Sequence, residues 1–325
     1  MLRLMENKTT FGFALESPAY TAATLTASNY NQRVFNVKVD PKTAMFAQKQ
    51  ALPDYSKPLS IAGQRQMTVS CSVNLYPGPA VNTAPQYFLL FQACGWKQTT
   101  YTTTGVSVGP HADYNRVPAT IEVAIPEEGT AYRQIVYKMH GAMGMVKINM
   151  NQVGQPISAD FTFTGALDAI GTRASGAVLM PTAFDTALPP AVLAATFSFF
   201  STIQYPAKFS VEGGEKVEMF SNLTTSNGYD GARVTDRDMK LTLDPDMVVP
   251  ADLDLYTAQI TNTTGQLSTT IGGAIPLTLS APVAQITESY KGTAREGHVA
   301  NDLKVELKRS TNGNDEFLLL QGTLS

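Results

Sequence analysis

The stretch QMTVSCSVNLY, residues 66–76, alternates without a break: Met67, Val69, Cys71, Val73 and Leu75 take one side, Thr68, Ser70, Ser72 and Asn74 the other. A period of two is what a strand with one buried and one wet face requires. The same period runs through TIEVAI (120–125), VKINM (146–150), DFTFTG (160–165), LTL (241–243) and LKVELKR (303–309). Parallel strands covered by helices would read as unbroken apolar runs, so one-sided alternation points to antiparallel sheets. The fold is expected to be mainly β.

Two short segments depart from that period. PQYFLLFQACG (85–95) opens with Pro85, clusters Phe88, Leu89 and Phe91 and stops at Gly95, which predicts a helix with a glycine cap. PADLDLYTAQI (250–260) opens with Pro250 and sets Asp252 and Asp254 near the positive end of a helix dipole.

Each predicted helix falls in one half of the chain, and the halves echo one another further. Arg65-Gln66-Met67 leads into the first alternating strand, and Arg237-Asp238-Met239 leads into LTL at an offset of 172 residues. Val146, Ile148, Met150, Phe161, Phe163, Gly165 and Leu167 match Leu303, Val305, Leu307, Leu318, Leu320, Gly322 and Leu324, all at an offset of 157. The pattern predicts a tandem duplication in which each copy ends in a closing strand pair. The boundary is expected within 168–190, rich in Ala, Gly and Pro, and the extra length of the first copy in a loop at 97–116.

With 325 residues and 43% hydrophobic content, the chain has apolar surface for one large or two ordinary cores. Its 24 basic and 27 acidic residues leave a net charge of −3, so no excess of positive charge is available to hold nucleic acid by phosphate neutralisation. Cys71 and Cys94 match no zinc spacing and are read as reduced core thiols. The opening MLRLMENKTTFGFALESPAY carries early charge and no continuous apolar run, so it is read as neither signal peptide nor membrane anchor. Folding in a cytoplasm follows, where the sequons at Asn7, Asn222 and Asn262 carry no glycan.

Chemistry-bearing patterns are scarce. GVSVG (105–109) has the form G-x-S-x-G, but a nucleophile elbow needs a core strand before it and a helix after it, and Ser107 lies in what reads as an exposed loop. His111, His140 and His298 lack metal-ligand spacing. Asp236, Asp238, Asp244, Asp246, Asp252 and Asp254 lack the central glycine and closing glutamate of a calcium loop and read as turn, cap and strand-face residues. No catalytic residue, metal or cofactor is assigned, and the chain is read as not an enzyme.

Four stretches together resemble the tail tube proteins of long-tailed bacteriophages: ALESPAY (14–20), RVFNVKVD (33–40), YFLLFQACGW (87–96) and YRQIVYKMHGAMGMVKINMNQVGQPISADFTFTG (132–165). The resemblance implies small β-sandwich or barrel modules, each with a flanking helix, that associate into rings and stack as a hollow tube. This chain is similar to the subset carrying two modules, here 1–175 with its N-terminal arm and 176–325, for which a trimeric ring of pseudo-sixfold symmetry is expected over a hexamer. The implied partners are further copies of the chain, a tape measure protein, and tail terminator and tip proteins. DNA would cross the lumen without specific binding, and the protein would reside in the virion tail after synthesis in the host cytoplasm. The alternative is a two-domain binding module or adhesin displayed on a surface, which would need a concave aromatic site; Trp96 is the one tryptophan, at a helix end.

Two segments are candidates for assembly contacts. In the arm, Phe11, Phe13 and Leu15 precede Pro18 and Tyr20, as expected of a segment that docks on a neighbour rather than on its own core. The connection 40–58 offers Met45, Phe46 and Tyr55, and loops of that length are usually functional or mobile. Both are expected to bridge adjacent subunits or rings.

Overall fold

The computed structural model describes residues 8–47, 59–101, 104–111, 117–128, 133–174, 177, 179–193, 195–247, 249, 252–288, 292–295, 297–310 and 316–322. The fold is mainly β. The first half contains β1 (Thr10–Leu15), β2 (Phe35–Phe46), β3 (Ile61–Asn74), α1 (Phe88–Gln92), β4 (Trp96–Tyr101), β5 (Gly105–Pro110), β6 (Ala119–Pro126), β7 (Gln134–Met150) and β8 (Ser158–Arg173). The second contains β9 (Thr196–Phe199), β10 (Thr202–Ile203), β11 (Phe209–Glu212), β12 (Glu215–Ser221), β13 (Tyr229–Arg237) and β14 (Lys240–Leu243). It continues with α2 (Leu255–Ile260), β15 (Thr264–Ile271), β16 (Leu277–Ile286), β17 (Gly292–Arg295), β18 (His298–Asn301), β19 (Leu303–Leu307) and β20 (Leu318–Gly322).

One antiparallel path joins the two halves, in the order β2-β3-β8-β7-β11-β14-β19-β16-β15-β9-β10. Alternation fixes which side of it is dry. Val73, Ala159, Ile148, Val211, Leu241, Val305 and Ile286 stand opposite one another across seven successive strands, and all are buried. Ile148 and Val305, matched by the sequence echo, thus belong to one continuous apolar row.

Two long strands each serve two partners. β8 occupies one edge of β7 along its length, so β6 (pairing Gln134–Ala142) and β11 (pairing Lys147–Met150) share the other. In the same way β15 takes one edge of β16, while β20 pairs Leu277–Ser280 and β19 pairs Ala284–Ile286 on the other. β20 also pairs with β5, and β5 with β4, which ties the end of the second half into the first.

This arrangement corrects several expectations. The closing pair of the second copy is not a hairpin: β19 and β20 lie end to end along β16 because that strand is long enough to hold both. β20 is wedged between β16 and β5, so Phe317 and Leu319 carry the core face and Leu320 is buried as well, one residue out of step with Phe161 and Phe163. Leu324 lies outside the described residues. The expected loop at 97–116 is instead the hairpin β4–β5 over its described part, with 102–103 and 112–116 outside it. β6 is buried on both faces because residues 16–30 cover its polar side, with Thr120 Oγ1 donating to Glu16 at 2.8 Å and accepting from the Ala23 amide at 2.8 Å.

Both helices are shorter than the sequence implies. α1 buries Phe88, Leu90 and Phe91 and leaves Leu89 outward; the Phe91 ring meets Trp96 at 4.9 Å and Phe161 at 5.0 Å. Gly95 ends that turn at φ +80°, as expected of a glycine cap. α2 starts at Leu255, since Asp254 is its N-cap and accepts from the Thr257 amide at 2.8 Å. Pro250 lies outside the described residues.

Candidate assembly surface

The face opposite the apolar row is polar; β12 and β13 pack over Met143 at one end of it, Ser72 and Asn149 are buried, and the charged positions between are exposed or half-buried. Its central row reads Ser72, Asp160, Lys147, Glu212, Lys240, Glu306, Gln285 and Thr264, each residue directly opposite the next on successive strands from β3 to β15. Charge alternates over the middle five positions. Neighbouring strands stand about 4.8 Å apart, so each lysine lies between two carboxylates and like charges are roughly 10 Å apart. The row crosses the junction of the two halves between Lys147 and Glu212, where Lys147 Nζ lies 2.7 Å from Glu212.

Four lysines on or beside this face have a carboxylate partner nearby. Lys240 lies 2.8 Å from Asp238, Lys304 lies 2.7 Å from Glu288, Lys42 lies 2.9 Å from Asp40, and Lys308 pairs with Glu306. Asp160 accepts from Ser72 Oγ at 2.6 Å and from Asn149 Nδ2 at 2.7 Å, which fixes its position without a cation. The flanking row is neutral until its end: Asn74, Ser158, Asn149, Ser210, Thr242 and then Lys304.

The path ends in two unpaired strand edges among the described residues. β2 is twelve residues long and mostly exposed, and β10 has two residues. Such an edge offers a row of unpaired N–H and C=O groups to another strand. The open end of the β2–β3 hairpin is apolar: Met45 is 61% exposed, Phe46 58% and Leu59 89%, with Ile61 beside them.

The predicted assembly residues divide accordingly. Met45 and Phe46 stand exposed at that tip, and Tyr55 lies outside the described residues. Phe11 and Phe13 correct the expectation for the arm: they are buried in the chain's own core, because β1 adds to β6 and sets the Phe13 ring, tilted, 5.8 Å from that of Phe163. Leu15 packs partly against the same core. Tyr20, at φ +63°, closes over the crossing of Gly141 and Gly231, where a Cβ on Gly141 would come within 2.6 Å of the Gly231 Cα. No sequence signal separates an arm that pairs with its own sheet from one that pairs with a neighbour's, since both need the same apolar side chains.

The buried polar groups serve the fold. Glu215 accepts from Trp96 Nε1 at 2.7 Å and from the Val146 amide at 3.2 Å, and burial pushes its carboxyl up to about 7. Burial also raises Glu16, which accepts from the Gly141 amide at 2.7 Å. His140 contacts Asp168, and that hydrogen bond raises its pKa. Ser107 is buried within β5, opposite Thr99 and Leu320, rather than in an exposed loop, and β5 is followed by no helix that could complete a nucleophile elbow among the described residues. Cys71 and Cys94 are free and buried, and burial raises both thiols. Trp96 is buried and offers no surface to a ligand. No group of three or more metal-ligating side chains occurs among the described residues, and none of their helices is long and apolar enough to cross a membrane.

No protein-family model matches this sequence, and no curated protein is significantly similar to it.

Proposed function

We propose that this chain is a structural subunit that joins edge to edge with copies of itself into rings, and that the rings stack into a hollow tail tube for genome passage. The observation that carries the reading is the β7–β11 ladder: the sheet of one half is continued by the sheet of the other, and the combined sheet still ends in open edges at β2 and β10. A junction of that kind, repeated head to tail between copies, closes into a ring or propagates as a filament. With one junction already inside the chain, every second contact in a six-place ring costs no association entropy, which favours three chains per ring. The exposed Met45, Phe46 and Leu59 suit contacts to the next ring, because a soluble chain that leaves such a tip bare gains by covering it.

Electron microscopy of the purified protein under assembly-promoting conditions tests this directly. Rings or tubes are expected, with a ring mass of three chains. A persistent monomer would sink the assembly reading, and six chains per ring would sink the trimer alone.

A further inference from the structure

We propose that the β12–β13 hairpin is a strap clasped at its base by Glu215, closed over β7 in acid and released in neutral and alkaline solution. The hairpin is a two-stranded sheet of its own, outside the main path. It leaves β11 through Gly213 and Gly214 and crosses over β7 where Gly231 meets Gly141. Its apolar side is small: Ala232 and Val234 are buried against Met143, with Val217 and Met219 partly covered. Contacts that do not titrate hold its far end, where Gln64 Nε2 donates to Ser221 Oγ at 2.9 Å and the Arg65 amide to the Asn227 carbonyl at 2.9 Å. The base is held differently. β6 pairs with β7 as far as Ala142 and β11 begins at Lys147, so residues 143–146 have no strand on that edge. Single contacts close the gap: the Gly144 amide donates to the Ala93 carbonyl at 3.1 Å, the Gly213 amide to the Val146 carbonyl at 2.9 Å, and the Val146 amide to the Glu215 carboxylate at 3.2 Å. The same carboxylate accepts from Trp96 Nε1 at 2.7 Å. Two glycines make room for it. A Cβ on Gly213 would stand 2.3 Å from Glu215 Oε1, and one on Gly214, at φ +66°, would stand 1.9 Å from the Asp238 carbonyl oxygen.

The charges around the clasp are engaged elsewhere. Arg237 approaches from β13 but pairs with Glu316 at 3.0 Å, and its attraction for Glu215 ranks behind burial and the hydrogen bonds. Cys94, at the end of α1, is a buried thiol raised by its own burial, while Trp96 on β4 and Val146 on β7 bring only N–H groups. Lys216 pairs with Glu218 at 2.9 Å, Lys147 with Glu212 at 2.7 Å and Lys240 with Asp238 at 2.8 Å. Asp236 and His111 line a cavity of 220 Å³ with Arg237 and Glu316 beside that leg of the strap, and Lys97 lies 3.2 Å from His111. At the crossing, Glu16 accepts from the Gly141 amide and His140 contacts Asp168. Burial therefore governs Glu215 and raises its carboxyl to about 7, against the N–H donors that lower it. Once the strap is released, the carboxyl is in water and titrates at 4.5. The closed strap holds the proton more tightly, so release grows about tenfold per unit as pH rises from 4.5 to 7, about 300-fold in all, and levels off above 7. Release uncovers Met143, the Val146 amide and Trp96 while the main path stays paired.

Hydrogen exchange of the unassembled full-length protein between pH 5 and pH 8, corrected for the intrinsic exchange rate at each pH, tests the clasp. A two-stranded hairpin off its support is marginal, so its amides exchange once it is released. Amides of 217–219 and 231–234 should lose protection by about 70-fold from pH 5 to pH 8, most of it by pH 7, while those of 158–167 in β8 keep theirs. Trp96 is the one tryptophan, and its emission should change with a midpoint near pH 7 as its hydrogen-bond partner ionises. Glu215→Gln keeps an acceptor for Trp96 and cannot ionise; it should hold the strap's protection at one value across the series and abolish the emission change. Gln64→Ala loosens the far end instead and should raise exchange of the strap by one common factor at every pH. Equal corrected protection at pH 5 and pH 8, a loss shared equally by β8, or a loss that survives in Glu215→Gln overturns the clasp. Should Glu215→Gln fail to fold, wild-type emission decides: no transition between pH 5 and pH 9 at constant far-ultraviolet circular dichroism also overturns it.

Discussion

Glu215 shows how a single buried group sets a condition on the whole chain. Its carboxyl, only 4% exposed, is raised from 4.5 to about 7, so the folded state holds the proton more tightly than the unfolded chain does. The stability this provides is complete below pH 4.5 and is lost as pH rises through 7, a change of about 3 kcal/mol. Glu16 and His140, also raised, act in the same direction. Urea unfolding at pH 5 and pH 8 should therefore show lower stability at pH 8, with the difference reduced in Glu215→Gln; an unchanged difference would mean that Glu215 is not its source. Phe13→Ala should cost about 3–5 kcal/mol, the range for emptying a buried aromatic site. By the same argument, deleting residues 2–16 is expected to abolish folding rather than merely block polymerisation, as circular dichroism would show. Gly141→Ala should also destabilise strongly, since the new methyl would drive into the backbone of β13 at a positive φ.

At the scale of elements, the β2–β3 tip is separable from the fold. Met45→Lys with Leu59→Lys should change unfolding free energy by about 0.5 kcal/mol or less, because both side chains are exposed. Tube growth should stop; normal tubes from this variant would remove the tip from the assembly contacts. The strands themselves were legible because alternation is written locally: Met67 through Val73 declares its faces without knowledge of a partner. Pairing was not legible. Glu212, Lys240 and Glu306 sit on three strands far apart in sequence, and nothing in their local patterns states that they become neighbours. The end-to-end placement of β19 and β20 is hidden for the same reason, since a long strand such as β16 can hold two partners on one edge and sequence order does not reveal it. The Thr, Gly and Ser around Ser107 give a turn-like local pattern, while its burial comes from β20, supplied from the other half.

For the molecule as a whole, the sequence echo sets Ile148 against Val305 and both stand in one apolar row, but the strands it matches play different parts: β8 lies beside β7, whereas β20 lies beside β16 and β5. What the echo could not show is how closely the halves are sewn together. Besides the β7–β11 ladder, β5 stands between β4 and a strand about two hundred residues further on. During synthesis at roughly 5–20 residues per second, β5 waits on the order of ten to forty seconds for β20 to leave the ribosome. Over that interval the nascent first half carries an unsatisfied edge beside its own core, which a chaperone or another nascent chain can occupy. Ribosome-stalled chains ending at residue 300 should then be cut by protease within 96–110, whereas chains released at full length should resist; equal resistance in both would show that the first half closes without β20.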